Sequence, residues 1–275
     1  MRDKSKQYRI LFIGNSFTYF NNMPNVLFQN VCTAAGYQVE VEQVTTGGHY
    51  LWKHANPKDR ENEPGGGWEV EKKLAENKYD FVIIQEQSGC AIADPALFYA
   101  GVRMLAEKVR KNGAELYLYA TWGYNAGYAK LPTHGGTTAI MEMQLRAAYT
   151  AIAAEVDAKV SYVGAASTDV FTNHPEIELY VADNYHPNVN QSTLAAYVHF
   201  ATVFGEDVRE VPYNGSYDGS ARNGGVPYTV TDRDTEILKQ AAYQAVFVDH
   251  AVAEEYRVSS EGVGASKMDF DAVKN

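Results

Sequence analysis

The sequence predicts an α/β fold: a three-layer α/β/α sandwich around a five-stranded parallel sheet in the flavodoxin-like order 2-1-3-4-5. Three observations carry this. Apolar, strand-like runs alternate with helix-like segments five times, which is the pattern of a parallel sheet covered by helices on both faces. The first and third runs are continuously apolar, as expected of central strands, whereas in the second Val39 and Val41 alternate with Glu40 and Glu42, as expected of an edge. The long irregular segments follow strands, so they gather on one rim of the sheet, where ligands bind in such folds.

The elements follow in order. Tyr8–Ile13 reads as the first strand, and Met23–Ala35 as a helix with Val26, Leu27, Val31 and Ala34 at helical spacing and Gly36 as its stop. Gln38–Val44 is the second strand. Residues 45–67 hold Gly47-Gly48, two aromatics, two prolines and a triple glycine, and read as a long loop of the functional kind. A short helix over 68–77 precedes the third strand, Asp80–Ile84. A helix over 95–112, stopped by Gly113, leads to the fourth strand over 115–120. After a loop over 121–138 come a helix over 139–156 and a fifth strand over 159–164. Residues 165–190 read as a third loop and 192–204 as a helix. These parts assign residues 1–255 to a single domain, with a core over 8–204 and an extension and late helix over 205–255. Residues 256–275 are polar and read as a flexible tail.

The chain has 275 residues, of which 45% are hydrophobic, enough to bury a core. Its net charge of −10 argues against nucleic acid as a partner, because an acidic surface repels phosphate backbones. Cys32 and Cys90 are two isolated cysteines with no CxxC spacing, so they read as small buried residues rather than a disulfide framework. Met1–Gln7 is polar and shows no apolar leader, and no run is long enough to span a bilayer. The expectation is a cytoplasmic protein without a membrane partner, or a secreted one whose leader has been removed.

The first strand ends in Gly14-Asn15-Ser16. Ser16 is either a helix cap or turn residue, or a nucleophile held at the end of a strand. A nucleophilic serine needs a base and an orienting carboxylate. Asp183-Asn184-Tyr185-His186-Pro187 offers both, since a short turn lets Asp183 reach the His186 ring and Pro187 restricts the backbone of His186. Asp169 with His174-Pro175 is a decoy of longer spacing. Acyl transfer also needs donors for the developing oxyanion. Gly47 and Gly48 offer backbone N–H groups on the predicted rim, and Gln85-Glu86-Gln87-Ser88-Gly89 offers side-chain amides; taken singly, each also fits an ordinary turn or solvated loop.

Together these residues resemble the SGNH, or GDSL-like, hydrolase superfamily over about Tyr8 to Phe204. Gly14-Asn15-Ser16 resembles its first block, Gly47 or Gly48 its second-block glycine, and Asp183-x-x-His186 its last. Two departures stand out: Asn15 replaces the usual Asp, and Gln85-Glu86-Gln87-Ser88 stands where the family carries Gly-x-Asn-Asp. The resemblance implies an esterase in which Ser16 attacks, His186 moves the proton and Asp183 orients the ring. It implies an oxyanion hole of the Ser16 N–H, a Gly47 or Gly48 N–H and the Gln87 amide, or Gln85 in its place. It implies no metal and no organic cofactor.

The histidines otherwise lack metal-ligand spacing. Tyr50, Trp52, Trp122, Tyr124, Tyr128 and Tyr185 fall in rim loops, and aromatics beside polar groups suit sugar rings. Asn15, Gln85, His49, Trp122 and Tyr185 are therefore substrate-binding candidates, and a carbohydrate O-acetyl ester is the favoured substrate. The alternatives are a carbohydrate-binding module that has lost catalysis, and an esterase or thioesterase acting on another substrate. A flavodoxin-type nucleotide or flavin site lacks its glycine-rich phosphate loop.

Overall fold

The computed structural model describes residues 2–216 and 227–249. Five strands form one parallel sheet: β1 (Gln7–Gly14), β2 (Gln38–Thr45), β3 (Phe81–Ile84), β4 (Glu115–Ala120) and β5 (Lys159–Tyr162). Their spatial order is β2-β1-β3-β4-β5, with β2 at one edge, as its alternating sequence requires. The register sets Ile10 against Phe81 and Ile13 against Ile84, so β1 and β3 end together at the rim.

The helices in chain order are α1 (Ser16–Tyr19), α2 (Gln29–Ala34), α3 (Leu51–Ala55), α4 (Gly67–Glu76) and α5 (Cys90–Ala93). They continue with α6 (Pro95–Asn112), α7 (Thr138–Val156), α8 (Val163–Asn173), α9 (Val189–Phe204) and α10 (Asp232–Tyr243). Local chemistry sets many boundaries. Asp94, Thr137, Asn188 and Thr231 each accept a first-turn N–H of α6, α7, α9 and α10. Pro95 opens α6, and Gly113 closes it in the left-handed conformation.

Alternate strand residues face opposite layers. Tyr8, Phe12, Phe81 and Tyr119 point to α9: Phe81 lies 5.9 Å from Phe204, and Phe12 and Tyr119 meet the His199 ring at 5.5 and 4.4 Å. α8 and α10 pack on α9 in turn, so α9 is buried along nearly its whole length. On the other face α6 and α7 join through Phe98 and Tyr149, 4.7 Å apart.

Several expectations need correction. Residues 163–173 form α8, not a loop, and β5 stops at Tyr162. Val163, Ala166, Ser167 and Val170 make a buried helical stripe whose small residues give a weak apolar signal. The loop over 45–67 contains α3, and the helix before β2 opens with a π-helical turn over Met23–Phe28. α9 begins at Val189, three residues earlier than expected. The late helix is described only to Asp249, so its expected end near 255, part of the connection over 205–230 and the tail over 256–275 lie outside the described residues. Among the described residues no helix is long and apolar enough to cross a membrane.

Candidate active site

β1 hands its chain to Ser16 through a close turn. Gly14 packs so tightly that a Cβ there would lie 2.5 Å from Thr18 Oγ1 and 2.8 Å from Gln85 Oε1. Asn15 caps α1: its Oδ1 accepts from the Phe17 N–H at 3.2 Å, while its Nδ2 donates to the His49 carbonyl at 3.0 Å. Ser16 is thus both the first residue of a one-turn helix and the residue presented at the rim. Among the described residues its N–H has no acceptor, as expected for the first N–H of a helix.

The Asp183–Pro187 segment is braced from several sides. Tyr180 and Pro187 form an antiparallel bridge, and the Val181 N–H donates to the His186 carbonyl at 3.0 Å. Asn184 takes a left-handed conformation (φ +65°), which Asn tolerates better than most residues. Asn125 holds it there, its N–H donating to the Asn184 carbonyl at 2.8 Å and its Nδ2 to Asn184 Oδ1 at 3.1 Å. Trp122 Nε1 donates to the Tyr185 carbonyl at 3.0 Å.

These supports bring three of the expected side chains into one chain of hydrogen bonds. Asp183 Oδ2 lies 2.6 Å from His186 Nδ1, and His186 Nε2 lies 2.8 Å from Ser16 Oγ. A carboxylate only accepts, so Nδ1 carries the proton. In the neutral imidazole Nε2 is then the acceptor, and the Ser16 hydroxyl donates to it. Burial opposes the charge on Asp183. Hydrogen bonds from the His186 side chain and from the His186 and Tyr185 N–H groups outweigh it and hold this carboxyl below its ordinary range. The His186 ring is stacked on Phe20 at 4.3 Å, with Tyr185 leaning against it at 3.9 Å.

The oxyanion candidates separate by their surroundings. Thr46–His49 is a tight turn closed by the His49 N–H on the Thr46 carbonyl at 3.1 Å, with Gly48 at φ +68°, a conformation that glycine enters freely. Gly47 and Gly48 are exposed, and among the described residues their N–H groups have no acceptor. Gln85 is buried and committed: its Oε1 accepts from the Asn15 N–H at 3.1 Å and from Thr18 Oγ1 at 2.9 Å, and its Nε2 donates to the Glu86 carbonyl. Gln87 is half-buried. The Gly89 N–H donates to its Oε1 at 3.0 Å, and its Nε2 donates one proton to Ser88 Oγ at 3.2 Å and retains another.

Four of the five substrate-binding candidates are buried, and each has at least one polar atom bonded inside the protein. Asn15 and Gln85 hold the nucleophile turn as described. His49 is buried with its Nε2 2.7 Å from Asp59 Oδ2. Trp122 is buried beneath Phe17, ring on ring at 4.5 Å. Tyr185 alone remains partly open beside His186. The decoy pair lies apart, with Asp169 bonded to Asn173 on α8 and His174 at the end of that helix.

A groove of about 430 Å³ opens beside Gln87, between Tyr50, Tyr124, His134 and Lys130. Tyr124 touches Tyr128 (4.5 Å), Tyr128 stacks on Tyr185 (4.5 Å), and Tyr185 touches His186, so aromatic rings run without a break from the groove to the histidine. His134 Nδ1 donates to the Lys130 carbonyl at 2.9 Å, which leaves Nε2 as an acceptor. Cys90 also lines the groove, and burial, with Glu86 and Asp94 nearby, pushes its thiol up to about 12.

Sequence reasoning passed over Glu86. It is fully buried, and its Oε1 accepts from the N–H groups of Gln87 at 2.6 Å and Leu51 at 3.1 Å. Burial raises its carboxyl to about 7, against those two hydrogen bonds. A charged residue inside QEQSG reads as solvated, and only its polar-to-apolar context in three dimensions reveals otherwise.

No family model matches the chain, and no curated protein matches it. Among solved structures, a protein described as an SGNH hydrolase from Slackia heliotrinireducens is 34% identical, over 72% of this chain and 100% of that one, with a TM-score of 0.62. A DUF4886 family protein from Bacteroides uniformis is 20% identical over 89% and 96% of the two chains, with a TM-score of 0.72. An acetyl xylan esterase is 14% identical over 71% and 99%, with a TM-score of 0.53. The last two likenesses are of fold alone.

Proposed function

The chain belongs to the SGNH hydrolase superfamily, and we propose that it is a serine esterase that removes a small acyl group, acetyl in the first instance, from a carbohydrate. The observation that carries this reading is the unbroken chain Ser16 Oγ–His186–Asp183, at 2.8 and 2.6 Å.

Ser16 Oγ attacks the ester carbonyl as His186 Nε2 takes its proton. Asp183 keeps the ring in the reactive tautomer and stabilises the imidazolium. The negative oxygen of the tetrahedral intermediate is met by the Ser16 N–H, a Gly47 or Gly48 N–H and the second proton of Gln87 Nε2. His186 returns the proton to the leaving alcohol. Water, deprotonated by the same imidazole, then frees the acyl group from Ser16.

The groove supports a sugar as the alcohol. Its lining includes Tyr50 and Tyr124 beside Leu97, with an imidazole acceptor, an ammonium donor and the Asp94 carboxylate, and its volume lies within the usual range for small-molecule sites. One neighbour in fold is an acetyl xylan esterase, so the same scaffold accommodates that chemistry.

The test is hydrolysis of p-nitrophenyl acetate against longer acyl esters, with wild type beside Ser16→Ala. Activity confined to short chains, and lowered at least ~10³-fold in the variant, is expected. Equal activity in both proteins would remove Ser16 from the mechanism. An inactive wild type that still binds acetylated sugar would favour the binding-module reading.

A further inference from the structure

Two loops carry the oxyanion donors assigned above: the Gly47-Gly48 turn before α3, and the Gln87 segment after β3. Among the described residues a single side chain hydrogen-bonds across them. Glu86 Oε1 accepts from Leu51, the first residue of α3, and from Gln87 itself. α3 has no side-chain cap of its own, so Glu86 supplies one from the neighbouring loop.

We propose that Glu86 is a positioning residue that locks these two loops together and so sets the separation of the oxyanion donors. The inference rests on the esterase reading. A fully buried carboxyl without a cation is a poor device for stability alone. Its second oxygen, Oε2, is buried and has no hydrogen-bond partner among the described residues. What the acid does offer is a pair of charge-assisted bonds to two backbone N–H groups, stronger than a neutral acceptor would make.

The titratable groups that face Glu86 are Tyr149 from α7, whose hydroxyl accepts from the Glu86 N–H at 3.3 Å, and Cys90 from α5. Burial pushes both upward, so both stay neutral near neutral pH. No cation pairs with Glu86 among the described residues. The lock therefore responds to the proton of Glu86 itself. With this carboxyl near 7, the ionised, tightly bonded form fills as pH rises through neutrality, and turnover rises with it.

The experiment measures kcat and KM for a chromogenic acetate ester from about pH 5 to 9 in wild type, Glu86→Ala, Glu86→Gln and Ser16→Ala. Glu86→Ala is expected to lower kcat by ~10–100-fold, less than loss of a donor, with KM within about twofold. Glu86→Gln is expected to retain more activity and to lose a step in kcat near neutral pH that the wild type shows. A folded Glu86→Ala with kcat within about twofold of wild type overturns the inference. If that variant does not fold, a Glu86→Gln profile that superimposes on the wild type overturns it. An inactive Ser16→Ala beside unaffected Glu86 variants removes this inference alone, whereas an active Ser16→Ala removes the esterase reading beneath it.

Discussion

Asn15 Nδ2 donates to the main-chain carbonyl of His49 at 3.0 Å, across 34 residues of sequence. That bond ties the nucleophile turn to the loop that carries Gly47 and Gly48. It also gives a physical reason for Asn rather than Asp at this position, since a carboxylate has no proton to offer a carbonyl.

The substitution Asn15→Asp keeps the cap on Phe17 but turns a carboxylate oxygen toward the His49 carbonyl in a buried setting. A loss of ~2–3 kcal/mol of stability is expected, measured by urea unfolding at neutral pH. The loss should shrink when the new carboxyl is protonated at lower pH. A variant as stable as wild type would mean that the Asn15–His49 bond contributes nothing.

Asp183→Asn should leave the fold intact and lower kcat by at least ~10³-fold. An amide at this place can present its Nδ2 to the ring and stabilise the wrong tautomer, with the proton on Nε2 where Ser16 needs an acceptor. A steady-state assay beside a thermal melt checks this. A small loss would show that His186 keeps its tautomer without the carboxylate.

Gln85 and Gln87 should separate cleanly. Gln85→Ala leaves the Asn15 N–H and the Thr18 hydroxyl without their acceptor inside the protein, and should lower stability by ~2–3 kcal/mol. Gln87→Ala should change stability little and lower kcat by ~10²-fold. Thermal melts and kcat on the same preparations decide. The reverse pattern would move the oxyanion donor to Gln85 and contradict its buried, committed amide.

At Asn184 the positive φ allows Gly but opposes Ala. Asn184→Gly should retain more activity than Asn184→Ala, whose loss is expected to be ~10-fold through displacement of the Asp183–His186 turn. Equal losses would place the whole effect in the missing bond from Asn125 Nδ2.

Glu86 also links stability to pH. Its folded-state value of about 7 lies above the ordinary 4.5, so between these values the native state holds more protons than the unfolded chain. Stability from this group is fully present below about pH 4.5 and is lost as pH rises through 7, by on the order of 3 kcal/mol. Unfolding of wild type against Glu86→Gln over this range should show the fall in wild type only. A parallel pH dependence in the two proteins would assign it elsewhere.

The sequence by itself determined what local pattern encodes. Continuous and alternating apolar runs distinguish β1 and β3 from the edge strand β2, and so specify the order of the sheet. Strand ends identify one rim, and the three-residue spacing of Asp183 and His186 is short enough for a single turn. α8 escaped because Gly, Ala and Ser bury a helix face with little apolar signal.

Only the tertiary structure decided which rim residues are open and which are spent. Trp122, His49, Asn15 and Gln85 look available in sequence, yet each is buried against a partner at least 10 residues away. Glu86 looks like a solvated loop charge, yet it joins two loops 35 residues apart. Burial and hydrogen-bond commitment depend on what the rest of the chain packs against a side chain, and that information is not local to any stretch of sequence.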